Sequence, residues 1–256
     1  MCGTSKPLAI DLYCGLGGWT EGLLAEGYRV VGFDIERHVY GEHAYPAQLV
    51  LQDVLTIHGQ QFKAAALIVA SPPCQEYSYM AMPWSRAKAI EADYKAGRRD
   101  VKQLTALFDA CFRIQREASE AAGRYIPLVV ENVRGAQKWI GRSRYHFGSF
   151  HLWGDVPALM PLTRPMAKVP GMGAGWRPPG HPDHVAGLDF NTRAERQQRE
   201  GVKQRGSGRE WFAGEGKISR VTSSGSPARE AASAMIAKIP LVLSRHIAKS
   251  WHPENA

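Results

Sequence analysis

Cysteine is scarce in this chain and never closely spaced. Cys2, Cys14, Cys74 and Cys111 are the four, with no C-x-x-C pair among them. Neither a zinc ribbon nor a disulfide framework is expected, so any sulfur chemistry must come from a single thiol. Long apolar runs are missing as well. The longest, residues 64–70, is far short of the ~20 residues that cross a bilayer. The amino-terminal stretch offers Lys6 and then apolar residues broken by Asp11, which is no secretory signal, so the cytoplasm is the expected compartment. Acidic residues are outnumbered, 24 against 32 basic, giving +8 and a pI near 9.4. That balance suits a polyanionic partner such as nucleic acid. With 44% apolar, 22% charged and 9% aromatic residues, the composition excludes a disordered or fibrous chain. The length of 256 residues allows one large domain, alone or with a small appendage.

In the first half, β-rich runs at residues 8–13, 29–33, 49–54, 66–70 and 127–130 alternate with helical stretches, a pattern that predicts an α/β fold built on a parallel sheet. Leu104, Leu107, Phe108, Cys111 and Phe112 recur at helical spacing, so a helix over about 100–122 should bury them on one face, Cys111 included. Residues 155–220 are rich in Gly, Pro and scattered charge and read as a loop-rich insert. Residues 227–236 and 239–251 read as helices separated at Pro240,. The expected organisation is a catalytic α/β core over 1–154, a small basic segment over 155–220, and C-terminal helices over 221–256 that return to the core.

Three places carry chemistry. Asp11-Leu12-Tyr13-Cys14-Gly15-Leu16-Gly17-Gly18 puts a glycine-rich turn between the first strand and a helix, where bare backbone lets a ligand approach closely. Asp34 and Asp53 end the next two strands, and a carboxylate about twenty residues beyond such glycines can reach ribose hydroxyls. The fourth strand runs into Ser71-Pro72-Pro73-Cys74-Gln75 and the fifth into Glu131-Asn132-Val133. A stiff proline pair thus holds a thiol beside a carboxyl at one sheet edge.

These residues resemble the DNA cytosine-5 methyltransferases. Pro72-Pro73-Cys74-Gln75 and Glu131-Asn132-Val133 are similar to that family's two signature motifs. Asp11 to Gly18 resembles its cofactor motif with Tyr13 in the usual phenylalanine place, and Lys238-Ile239-Pro240 resembles part of its closing motif. The resemblance implies a Rossmann-like sheet with helices on both faces, S-adenosylmethionine as methyl donor, and double-stranded DNA as substrate. Asp11, Tyr13, Gly15, Gly17, Gly18, Asp34 and Asp53 would line the cofactor site. A monomer is expected, working as a phage or bacterial enzyme with or without a paired nuclease.

The chemistry suits the residues. Carbon 5 of cytosine is a weak nucleophile, so a thiolate must first add at carbon 6, a role for Cys74. A carboxyl against N3 can share a proton with the charged ring, a role for Glu131 that favours a raised pKa. Pro73, Gln75 and Asn132 complete the catalytic motifs, and the base that removes the carbon 5 proton is not identified. The target base must leave the duplex, and the stretch with Arg86, Lys88, Lys95, Arg98 and Arg99 resembles the loop that closes over it. The family's arginine strand should fall near residues 145–154, which hold no arginine. Arg142 and Arg144 are the expected substitutes, with His146 and His151 next. The family's Gly-Asn dipeptide is absent from the closing motif. His181 and His184 lack a third neighbouring ligand, so no metal is expected. Two rival readings are a transfer-RNA cytosine methyltransferase and an inactive nucleic-acid-binding homologue.

Overall fold

The computed structural model describes residues 5–74, 77, 84–160, 230–231, 234–235 and 237–255. In chain order it forms β1 (Leu8–Leu12), α1 (Gly18–Ala25), β2 (Arg29–Asp34), β3 (Val39–Tyr40), β4 (His43–Ala44), β5 (Gln48–Leu51) and β6 (Ala65–Ala70). There follow α2 (Trp84–Lys95), α3 (Val101–Ala122), β7 (Leu128–Asn132), α4 (Gln137–Ile140), β8 (Tyr145–Phe147), β9 (Phe150–Gly154) and α5 (Leu241–Ser250). Two compact units contain these residues, Met1–Pro161 with Leu241–Ala256, and Leu162–Pro240.

The first unit is built on a seven-stranded sheet in the order β5-β2-β1-β6-β7-β9-β8. Its central strands are largely buried apolar runs, as parallel strands covered on both faces must be. The sheet is mixed rather than wholly parallel. Strand β9 runs antiparallel to both β7 and β8, because a tight turn at Gly148, with φ 60, joins β8 directly to β9 and leaves no room for a crossover. The expected strand over 49–54 also ends early, at Leu51. The Asp53 carboxylate accepts a bond from Leu55 N and opens a 3-10 turn, an alternative to the ladder that short acidic side chains offer the backbone.

Side chains alternate across the sheet. Ile10, Leu12, Phe33, Ile68, Val130 and Trp153 face α3 and form the main core with it. Helix α3 starts where the Asp100 carboxylate accepts from Lys102 N and stops at left-handed Gly123,. Its buried stripe is Leu104, Phe108, Cys111, Ile114 and Ala118, while Leu107 and Phe112 are only half-buried. On the opposite face α1 packs against α5, so closely at Gly22 that an added Cβ would strike Ser244. The Tyr28 hydroxyl donates to Ala248 O at 3.0 Å across the same layer. No helix of the described residues is long and apolar enough to cross a membrane.

Candidate active site

Strand order reverses at β1, which has β2 on one side and β6 on the other, and ligands of open α/β sheets bind outside the carboxyl ends of strands at such a point. The backbone leaving β1 enters the left-handed region at Tyr13 (φ 56), Gly15 (φ 50) and Gly17 (φ 77), and Gly18 begins α1 buried. A Cβ on Gly17 would lie 2.5 Å from Pro46 Cδ, whereas one on Gly15 would meet nothing within 4 Å. The turn is therefore backed by Pro46 and open at Gly15. Asp34 locks it, with Oδ2 accepting from Gly15 N at 2.9 Å and Oδ1 from Ile35 N at 2.8 Å. Tyr13, half-buried, donates its hydroxyl to Leu107 O on α3 at 2.9 Å.

Asp11 lies wholly buried beneath this turn, one oxygen accepting from Thr20 Oγ1 at 2.7 Å and the other, Oδ1, without a partner among the described residues. Thr20 Oγ1 is also 2.7 Å from the Tyr45 hydroxyl. Burial, reinforced by the nearby Asp34 charge and opposed by the Thr20 bond, pushes the Asp11 carboxyl up to about 8,.

The second constellation joins the exits of β6 and β7. Ser71 is tied to the first motif, its N–H donating to Leu12 O at 3.1 Å and its Oγ accepting from Trp19 Nε1 at 3.0 Å. Pro73 is exposed and Cys74 half-buried, and Gln75 lies outside the described residues. Asn132, buried at the end of β7, donates from Nδ2 to Pro72 O at 2.9 Å and accepts from Val133 N at 2.8 Å. Three residues on, a Cβ at Gly135 would strike Tyr77 O. Tyr77 in turn donates its N–H to Cys74 O at 3.0 Å and its hydroxyl to Leu104 O at 2.6 Å. The turn carrying Cys74 is therefore pinned on both sides to the segment that follows Glu131, itself buried. Cys14 and Cys111 are buried thiols that desolvation pushes well up, so neither suits nucleophilic work. Cys74 is the half-buried thiol at the sheet edge.

Arg98 pairs with Asp93 at 2.8 Å, and the Arg99 guanidinium sits 5.7 Å over the Tyr94 ring, so both serve the end of α2. Lys95 pairs with Glu91, which also binds Lys138 of α4, each at 2.8 Å. Lys88 is exposed on α2, and the Arg86 side chain lies outside the described residues. Arg142 and Arg144 line a groove against α3 that includes none of the catalytic-motif residues. His151 is the register partner of Asn132. Its Nδ1 lies 2.9 Å from Ser143 Oγ, and its ring stacks 5.2 Å from that of His146. Among the described residues no group of three or more His, Cys, Asp or Glu is placed to hold a metal. His181, His184 and the segment over 161–229 lie outside them.

Sequence reasoning missed the Tyr45-Pro46 strap behind the glycine turn and the tie from Asn132 to Pro72. The strap had a signal in the two-residue Gly41-Glu42 loop of the β3–β4 hairpin,. The tie had none, because it depends on β6 and β7 being neighbours.

A family model described as C-5 cytosine-specific DNA methylase matches residues 8–138 of the 256. Among solved structures, one described as a DNA modification methyltransferase encoded within an E. coli prophage is 22% identical, with a TM-score of 0.33, over 51% of this chain and 33% of that chain. The S. pombe Dnmt2 methyltransferase is 16% identical, with a TM-score of 0.32, over 53% of this chain and 37% of that one. The Entamoeba histolytica methyltransferase EhMeth is 14% identical, with a TM-score of 0.37, over 65% and 59%. The chain spans about a third of the length of the first two. No match was found among curated proteins.

Proposed function

The chain belongs to the C-5 cytosine-specific DNA methylase family, and from that membership we propose that it transfers a methyl group from S-adenosylmethionine to carbon 5 of cytosine in double-stranded DNA. The carrying observation is the bond from Asn132 Nδ2 to Pro72 O. It joins the loop of the proposed nucleophile to the loop of the proposed acid, at the edge where the glycine turn opens.

The open backbone at Gly15, with Asp34 ending β2 and Asp53 just past β5 at the head of a 3-10 turn, fits the nucleoside half of S-adenosylmethionine, whose ribose hydroxyls need acceptors. Gly17 and Gly18 would let the rest of the molecule approach the start of α1, Tyr13 would flank it, and the buried Asp11, its carboxyl pushed up by desolvation, would support the turn from below. When bound, that molecule supplies an electrophilic methyl group on a sulfonium centre. Cys74 attacks carbon 6 of a cytosine taken out of the duplex, and the ring electrons move toward carbon 5. Glu131 holds a proton at N3 while the ring carries the extra charge, a task its burial suits. Pro73 and the residues tied by Asn132 keep the thiol in line. Carbon 5 would then bond to the methyl group as the donor's carbon–sulfur bond breaks, and loss of the carbon 5 proton to a base expels the Cys74 thiolate and restores the ring.

A duplex with 5-fluorocytosine at target positions tests this, because fluorine cannot leave as a proton and the adduct accumulates. The expected result is a denaturation-resistant complex that vanishes in Cys74→Ser. Methylation of ordinary DNA without any trapped complex would overturn the nucleophile. Mass spectrometry of DNA and RNA from an expressing host separates the rivals: 5-methylcytosine confined to RNA points to the transfer-RNA reading, and none in either to an inactive homologue.

A further inference from the structure

Outside the catalytic edge, a groove of about 420 Å³ runs between α3, α4 and β9, walled by Phe112, Trp139 and Trp153 and rimmed by Lys102, Arg142 and Arg144. Among the described residues, none of these three basic side chains makes a hydrogen bond or an ion pair. One acid, Asp109, lines the groove, and its carboxylate already accepts from Thr105 Oγ1 at 2.7 Å. Cations set around apolar walls in this way form a surface suited to an anion carried on an apolar frame.

The groove lies close to the chemistry. Trp153 is the register partner of Val130, the residue before Glu131. The other wall is braced: Tyr94 of α2 meets the Trp139 ring edge-on at 5.3 Å, and Lys138 beside it holds Glu91 at 2.8 Å.

We propose that this groove takes the sugar–phosphate backbone of the DNA strand beside the target cytosine, with Lys102, Arg142 and Arg144 on phosphates and the aromatic walls against deoxyribose. The inference rests on the methyltransferase reading for the identity of the polymer. The charge pattern and the rings argue for the backbone, since phosphates take Lys and Arg without regard to sequence. A net charge of +8 over the whole chain would draw the same polymer in. Arg142 and Arg144 thereby act on the backbone and leave the flipped base to other groups.

The test is binding of a fluorescent unmethylated duplex, followed by anisotropy across salt concentrations without cofactor. For every phosphate that the protein no longer neutralises, the slope of log affinity against log salt falls by roughly 0.9. Replacing Lys102, Arg142 and Arg144 together by Ala should flatten the slope by roughly 2 to 3, with melting temperature and S-adenosylmethionine affinity unchanged. The charge-preserving pair Arg142→Lys and Arg144→Lys should keep the wild-type slope. A triple variant with the wild-type slope overturns the groove, and so does a Lys pair whose slope flattens as far as that of the Ala variant, since the effect would then be structural. Binding is read without turnover, so the two proposals fail separately. Wild-type protein that binds but never methylates sinks the activity alone, and a methylating enzyme whose triple variant keeps its slope sinks the groove alone.

Discussion

At the scale of single residues, the decisive contrast is between three thiols and between buried carboxyls. Burial, reinforced by nearby carboxylates, pushes the Cys14 and Cys111 thiols well up, whereas Cys74 is half-buried at the sheet edge. Cys74→Ser should abolish the trapped adduct and lower methyl transfer by at least about a thousandfold, as loss of a catalytic nucleophile does. Glu131→Gln should lower it by about 10² to 10⁴, the range of a positioned acid, with cofactor affinity preserved by calorimetry. Asp11 gives a stability signature instead. Its carboxyl holds its proton up to about 8 in the folded chain against 3.8 as a free group. The folded state therefore binds the proton more tightly, and the contribution is full below about pH 4 and lost as pH rises through 8. Denaturant titrations from pH 4 to 9 should show a decline over this window that Asp11→Asn removes. An equally steep decline in the variant would mean that Asp11 is ionised in the native protein.

The elements show how backbone contact, rather than side-chain chemistry, sets the site. Gly135 presses on Tyr77 O and Gly22 on Ser244, so two glycines outside the cofactor motif govern the catalytic loops and the α1–α5 layer. A methyl at Gly22 has no free space, and overpacking of this kind costs about 1–3 kcal/mol. Gly22→Ala should accordingly lower the melting temperature, read by calorimetry, while Gly27→Ala, where an added Cβ would lie 4.0 Å from His252 but φ is +86, should lose stability through backbone strain alone. The ends of elements were the hardest to read in the sequence. Helix α3 was legible because its apolar residues recur every three to four positions and Asp100 caps it. For residues 145–154 only the family resemblance placed a strand, because their short runs are joined by a tight turn, and the place of β8 and β9 beside β7 is a matter of pairing. Leu107 and Phe112 share the apolar stripe of α3, yet stand at its margin.

For the whole molecule, charge and the segment over 155–220 bear on specificity. That segment carries Arg193, Arg196, Arg199, Lys203, Arg205 and Arg209 amid Gly and Pro, a composition suited to phosphate contacts and poor in scaffold for reading base edges. A recognition sequence of about four base pairs or fewer is expected, with affinity falling steeply as salt rises. Bisulfite sequencing of a genome exposed to the protein measures this directly, and methylation confined to a longer, strictly defined site would show a better-ordered reader than the composition implies.

The order of motifs along the chain, Asp11 to Gly18, Asp34, Asp53, Pro72 to Cys74 and Glu131 to Val133, was determined by the sequence alone. Each lies within a few residues of a strand end, and local hydrophobic patterning marks strand ends. The roles given to Cys74 and Glu131 rest instead on the resemblance of Pro72-Pro73-Cys74-Gln75 and Glu131-Asn132-Val133 to the family's motifs. Tertiary structure alone decided that Asn132 reaches Pro72, that Tyr45 and Pro46 back the glycine turn, and that Arg142 and Arg144 line the groove on α3. These contacts join residues distant in sequence through strand order and helix packing. No local pattern encodes such pairings, since their free energy comes from burying surfaces that meet only once the sheet has formed.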